Sequence, residues 1–130
     1  MSTQAEQLKA RTMRFALDVC SFIRQLPLEE PGLLVRRQLA RSSTSVAFNY
    51  RASCRARTHT EFTAKIGLVA EEADESQGWL EFIEAAQLVK SSELRRLLAE
   101  ATELCAMCSA SVGTARFNER NRRRRSDSAS

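Results

Sequence analysis

The sequence predicts an all-α protein, an antiparallel up-down-up-down four-helix bundle, and three observations carry the prediction. Only four glycines and two prolines interrupt 130 residues, too little turn punctuation for a β fold. Apolar residues recur at spacings of three and four along four long stretches, the period of one helix face. The links between those stretches are short, so that successive helices double back on one another. At 14.6 kDa the chain is the size of one domain and buries a core without help from disulfides or a structural metal.

Thr3 and Glu6 form a capping-box signature. Behind it Leu8, Thr12, Phe15, Val19, Phe22 and Leu26 define the first helix. Pro27 and Glu29-Glu30-Pro31-Gly32 break it, with Pro31 suited to the first turn of the next helix, where its missing N–H costs nothing. The second helix is expected from about Leu33 to Arg55, with Val35, Leu39, Ser42, Val46, Tyr50 and Cys54 on one side. Thr58-His59-Thr60-Glu61 repeats the capping box and opens a third helix expected to reach about Val89. Ser91-Ser92-Glu93 then caps a fourth, carrying Leu94, Leu97, Leu98, Ala101, Leu104, Cys105, Cys108 and Val112. The bundle is expected over residues 1–121. Residues 122–130 hold Arg122, Arg123, Arg124 and Arg125 and nothing worth burying, which predicts a disordered basic tail.

The net charge of +4 hides segregated blocks. Residues 33–58 carry six arginines and no acid, whereas residues 59–90 carry two lysines against seven acids. On the second helix Arg37, Arg41, Thr44, Phe48, Arg51 and Arg55 share a stripe turned away from the core positions. On the third, Leu68, Glu72, Glu75, Trp79, Phe82 and Ala86 lie beside the core stripe of Phe62, Ile66, Val69, Ala73, Leu80 and Ile83. One stripe offers arginine with an aromatic, the other glutamate with Trp and Phe, which are interface residues with complementary charge. Two readings stand. The stripes satisfy each other within one chain, or they join copies, with Arg37, Arg41, Phe48 and Arg51 meeting Leu68, Glu72, Glu75, Trp79 and Phe82 of a neighbour. The second is preferred because the two stripes cover more of the helices than one core needs.

Catalytic chemistry finds little to work with. A carboxylate-bridged di-iron centre requires Glu-x-x-His on each of two helices, and the sole histidine, His59, lies at the turn into the third helix. Cys105-Ala106-Met107-Cys108 has metal-knuckle spacing but sits mid-helix on the core stripe, where small buried residues are expected, as they are at Cys20 and Cys54. No cofactor motif and no enzyme are expected. No apolar run spans a bilayer and no signal-peptide core opens the chain, so a soluble, cytoplasmic protein is expected. The four terminal arginines, with Arg55, are candidate phosphate contacts for RNA or DNA, or the tail is only a solubilising end.

Gln38-Leu39-Ala40-Arg41-Ser42, Thr44-Ser45-Val46 and Asn49-Tyr50-Arg51-Ala52 resemble the bacterial four-helix-bundle family of 23S rRNA intervening-sequence proteins. Phe62, Lys65-Ile66, Glu71-Glu72-Ala73, Glu75 and Trp79-Leu80 match its third helix, and Arg11-Thr12, Phe15-Ala16 and Leu26-Pro27 its first. The resemblance covers most of residues 8–110. Ala52 stands where that family often has an acid and Phe48 where it usually has a small residue. The resemblance implies a homopentameric ring without enzymatic activity. Accessory proteins of diversity-generating retroelements are similar bundles that bind nucleic acid and a reverse transcriptase. RNA or DNA, and a reverse transcriptase or other protein, are therefore the partners it implies besides self.

Overall fold

The computed structural model describes residues 3–129. Four helices form the bundle, α1 (Gln4–Phe22), α2 (Gly32–Cys54), α3 (His59–Ala85) and α4 (Ser92–Ala129), with a 3-10 turn over Ile23–Gln25 after α1. No strand occurs among the described residues. Contacts run α1 to α2, α2 to α3 and α3 to α4, with α1 and α4 closing the bundle more sparsely. One end of the bundle therefore gathers the start of α1, the α2–α3 turn and the far part of α4.

The helix starts follow local side-chain chemistry. The Thr3 hydroxyl accepts from the Glu6 N–H at 3.1 Å while the Glu6 carboxylate accepts from the Thr3 N–H at 3.0 Å, a complete capping box. At α3 only half of the expected box forms, because Thr58 Oγ1 accepts from the Glu61 N–H but the Glu61 carboxylate takes the Arg57 N–H at 3.2 Å. Pro31 offers no side-chain cap to α2. Glu30 reaches forward instead and accepts from the Leu34 N–H at 3.1 Å, a carboxylate where the helix dipole favours one.

Phe15, Val19 and Phe22 of α1, Val35, Leu39 and Val46 of α2, Ile66, Val69, Leu80 and Ile83 of α3, and Leu97 and Leu104 of α4 are almost fully buried. Between α2 and α3 the buried hydroxyls of Ser42 and Ser76 lie 2.8 Å apart and share a hydrogen bond, so the two backbones run close there. The sparse α1–α4 seam is closed by charge. Arg11 donates to both carboxylate oxygens of Glu100 at 2.9 and 2.6 Å and pairs with Glu103 at 2.8 Å, and Asp18 lies between Arg14 and Arg96.

Three expectations are corrected. Cys54 is exposed, because Ser53, three residues after Tyr50, takes the core position and donates to the Tyr50 carbonyl at 2.6 Å; Cys20 and Cys105 are half-buried and Cys108 fully buried. The third helix ends at Ala85 rather than near Val89. Gln87 adopts φ +54°, and the N–H groups of Leu88 and Gln87 bond to the carbonyls of Ile83 and Glu84, a Schellman termination. Arginine-rich residues 122–129, expected to be disordered, continue α4 as helix; Ser130, the last residue of that predicted tail, and Met1 and Ser2 lie outside the described residues. Arginine propagates helix well, and no Gly or Pro follows Gly113. The absence of apolar residues leaves this segment exposed, not unfolded, with Ala115 the last buried residue.

Candidate functional site

The α2–α3 face carries most of the residues the sequence singles out. The Ser42–Ser76 contact sets the antiparallel register, and one residue earlier on α2 Arg41 reaches across. Its guanidinium pairs with Glu72 at 3.2 Å and with Glu75 at closer range, while its Nε donates to Gln38 Oε1 at 3.3 Å. The Glu75 hydrogen bond raises the Arg41 pKa, and that same bond holds the Glu75 carboxyl below its usual range. Arg37 pairs with Glu30 of the α1–α2 connection at 3.7 Å. The opposed charges of the two helices thus meet within one chain at the middle of the face.

Apolar groups flank that closed triad. Phe82 is 40 % exposed and Leu68 42 % exposed on α3, with Leu34 38 % exposed on α2. Trp79 is half-buried and meets Phe82 edge-on, ring centroids 5.6 Å apart at 69°. Leu34 was not singled out in the sequence, although its spacing of seven from Arg41 and fourteen from Phe48 places it on their stripe. Leu34, Leu68 and Phe82 thus leave apolar surface uncovered among the described residues, as interaction faces do.

Phe48 and Arg51 continue the same α2 stripe toward the α2–α3 turn. They line a cleft with Ala52, Arg55, Arg57, Glu61 and Lys65, between the end of α2 and the start of α3. Arg57 and Lys65 were not singled out as site residues, since the cleft is assembled by two helices and their turn. Arg55 is therefore beside Arg51 rather than grouped with the terminal arginines alone. Arg122–Arg125 lie on the exposed end of α4. Its preceding turn docks on the start of α3, where His59 Nε2 lies 3.0 Å from the Ala115 carbonyl and Thr60 donates to Glu119 at 2.7 Å. Arg123 pairs with Glu119 at 3.8 Å.

Among the described residues no cluster of three or more His, Cys, Asp or Glu side chains is placed to hold a metal ion. Burial pushes the Cys105 thiol up to about 11 and raises that of Cys108, so both stay protonated at neutral pH and are poor nucleophiles. No helix among the described residues is long and apolar enough to cross a membrane.

The profile of the 23S rRNA-intervening sequence protein family matches residues 6–110. Among solved structures, the chain is similar to a protein of unknown function from the S23 ribosomal protein family of Bacteroides thetaiotaomicron. The two are 22% identical with a TM-score of 0.72, over 80% of this chain and 96% of that one. That likeness is one of fold. No curated protein matches significantly.

Proposed function

Since the chain belongs to the 23S rRNA-intervening sequence protein family, we propose that it is a non-enzymatic scaffold that assembles into a homopentamer and binds RNA or DNA. The carrying observation is the α2–α3 face, where Leu34, Leu68 and Phe82 stay open to water, with half-buried Trp79 beside Phe82, around ion pairs formed within the chain. Because Arg41 is already paired with Glu72 and Glu75 within the chain, burying this face against a neighbour confronts one net negative charge rather than three unpaired ones, which lowers the chief penalty of a charged interface. Exposed aromatic and aliphatic surface supplies the driving force. The interface is thus apolar contact framing an ion-paired triad within each copy, rather than arginines of one copy meeting glutamates of the next. Nucleic-acid binding is supported by the cations gathered at the α2–α3 turn and along the end of α4.

Light scattering of the full chain at micromolar concentration tests assembly. A mass near five times 14.6 kDa is expected, with a smaller species for Trp79→Ala, Phe82→Ala. A monomer, or unchanged assembly of the variant, overturns it. For nucleic acid, affinity is expected to fall steeply with salt and to weaken when residues 122–130 are removed; absent or salt-independent binding rejects that half.

A second reading, an accessory subunit for a nucleic-acid enzyme such as a reverse transcriptase, is favoured by Phe117, 56 % exposed on the outer part of α4. A nuclease-resistant pull-down of one stoichiometric protein, lost in Phe117→Ala, supports it.

A further inference from the structure

We propose that the cleft between the end of α2 and the start of α3 binds single-stranded nucleic acid, with Phe48 stacking on a base and Arg51, Arg55, Arg57 and Lys65 holding adjacent phosphates. The inference rests on the nucleic-acid half of the function above and narrows it to a place and a strandedness.

Phe48 is 59 % exposed and makes no ring contact with another aromatic among the described residues. It stands on the wall of a cleft whose other polar lining is four cations and one acid. None of those four cations forms an ion pair among the described residues, whereas Arg11, Arg14, Arg37, Arg41, Arg96 and Arg123 all do. The acid, Glu61, is held at the start of α3 by the Arg57 N–H at 3.2 Å. The cleft therefore keeps a surplus of unspent positive charge around one open aromatic face. From Phe48 to Arg55 the helix runs two turns, about 10 Å, enough for a few nucleotides.

Strandedness follows from Phe48. A ring set between cations can stack only on a base whose face is open, which a single strand offers and a closed duplex does not. Stacking is tolerant of base identity because every base has a π face, so little sequence preference accompanies it.

The test uses the full chain with oligo(dT), oligo(U) and a random duplex, by fluorescence anisotropy at several salt concentrations, alongside light scattering. Phe48→Ala is expected to weaken single-strand affinity about 5- to 150-fold, with duplex affinity and assembled mass unchanged, and Phe48→Trp to restore it. Arg55→Gln, Lys65→Gln is expected to flatten the single-strand salt dependence by about 1.4 in log–log slope. The two single strands distinguish RNA from DNA as the preferred ligand. Single-strand affinity unaffected by Phe48→Ala, preference for duplex, or loss of assembly in that variant overturns the inference while nucleic-acid binding itself stands. Failure of wild type to bind any of the three probes removes the nucleic-acid half of the proposed function as well.

Discussion

At Gly32, where α2 begins, a Cβ would lie 2.2 Å from the Pro27 carbonyl oxygen, a backbone atom that cannot swing aside. The α1–α2 connection closes at that spacing because the glycine has no side chain. Gly32→Ala is expected to cost on the order of 1–3 kcal/mol, as overpacking does, read as a lower urea midpoint at unchanged slope. Gly67, mid-helix in α3, has no atom within 4 Å of its Cβ position, so Gly67→Ala should move the midpoint the other way by up to about 1 kcal/mol. Matching shifts of one sign would show that the Pro27 contact is not what selects glycine. In the sequence Gly32 reads only as part of a Pro-Gly break; its close approach to Pro27 needs the three-dimensional turn. The same limit applies to Ser42, visible on the core side of its helix but without its partner Ser76, 34 positions away. Thr3 and Glu6 were fully readable because their bonds span three residues.

Helices are legible in their interiors and less so at their ends. The apolar period that marks Ile66, Val69, Ala73, Leu80 and Ile83 reports burial and is silent on where the backbone stops. Nothing in the letter Gln announces a left-handed residue, so α3 was expected to run on past Gln87. That residue pays about 1 kcal/mol or more for φ +54° because it has a Cβ, and Leu88 packing on the core holds it there. Gln87→Gly is therefore expected to stabilise the protein by about 1 kcal/mol in a thermal or urea melt. An unchanged or lower midpoint would mean that the Gln87 side chain repays its strain. The α2–α3 face shows the same division. Its charge complementarity was plain from the acid-free and acid-rich blocks, but whether Arg41 meets its own Glu72 and Glu75 depends on register, which no single helix encodes.

Across the whole molecule, charge placement makes stability a function of pH with two limbs. Burial alone would raise the Asp18 carboxyl, but hydrogen bonds from Arg96 and Arg14 outweigh it and hold it below its ordinary 3.8. The hydrogen bond from Arg41 likewise lowers Glu75 from 4.5. Both groups bind protons more weakly when folded, so their stabilisation is complete above the unfolded values and is lost as pH falls through the folded ones. The loss is modest, because the Glu75 side chain is 38% exposed and screened by water. On the alkaline side burial pushes Tyr50 from 10.0 up to about 12 and Cys105 from 9.0 up to about 11. These groups hold their protons more tightly when folded, so stability is full below pH 9 and declines as pH rises through those windows. The melting temperature is therefore expected to be flat from about pH 5 to 9, falling gently below it and more steeply above. Cys105→Ala should flatten the alkaline limb between 9 and 11 while leaving the acid limb alone, and Arg96→Gln should flatten the acid limb alone. The two limbs separate because the acidic groups lie in ion pairs on the seams between helices, whereas the thiol and phenol are held by burial. A Cys105→Ala melt that keeps the full alkaline decline would place its origin elsewhere.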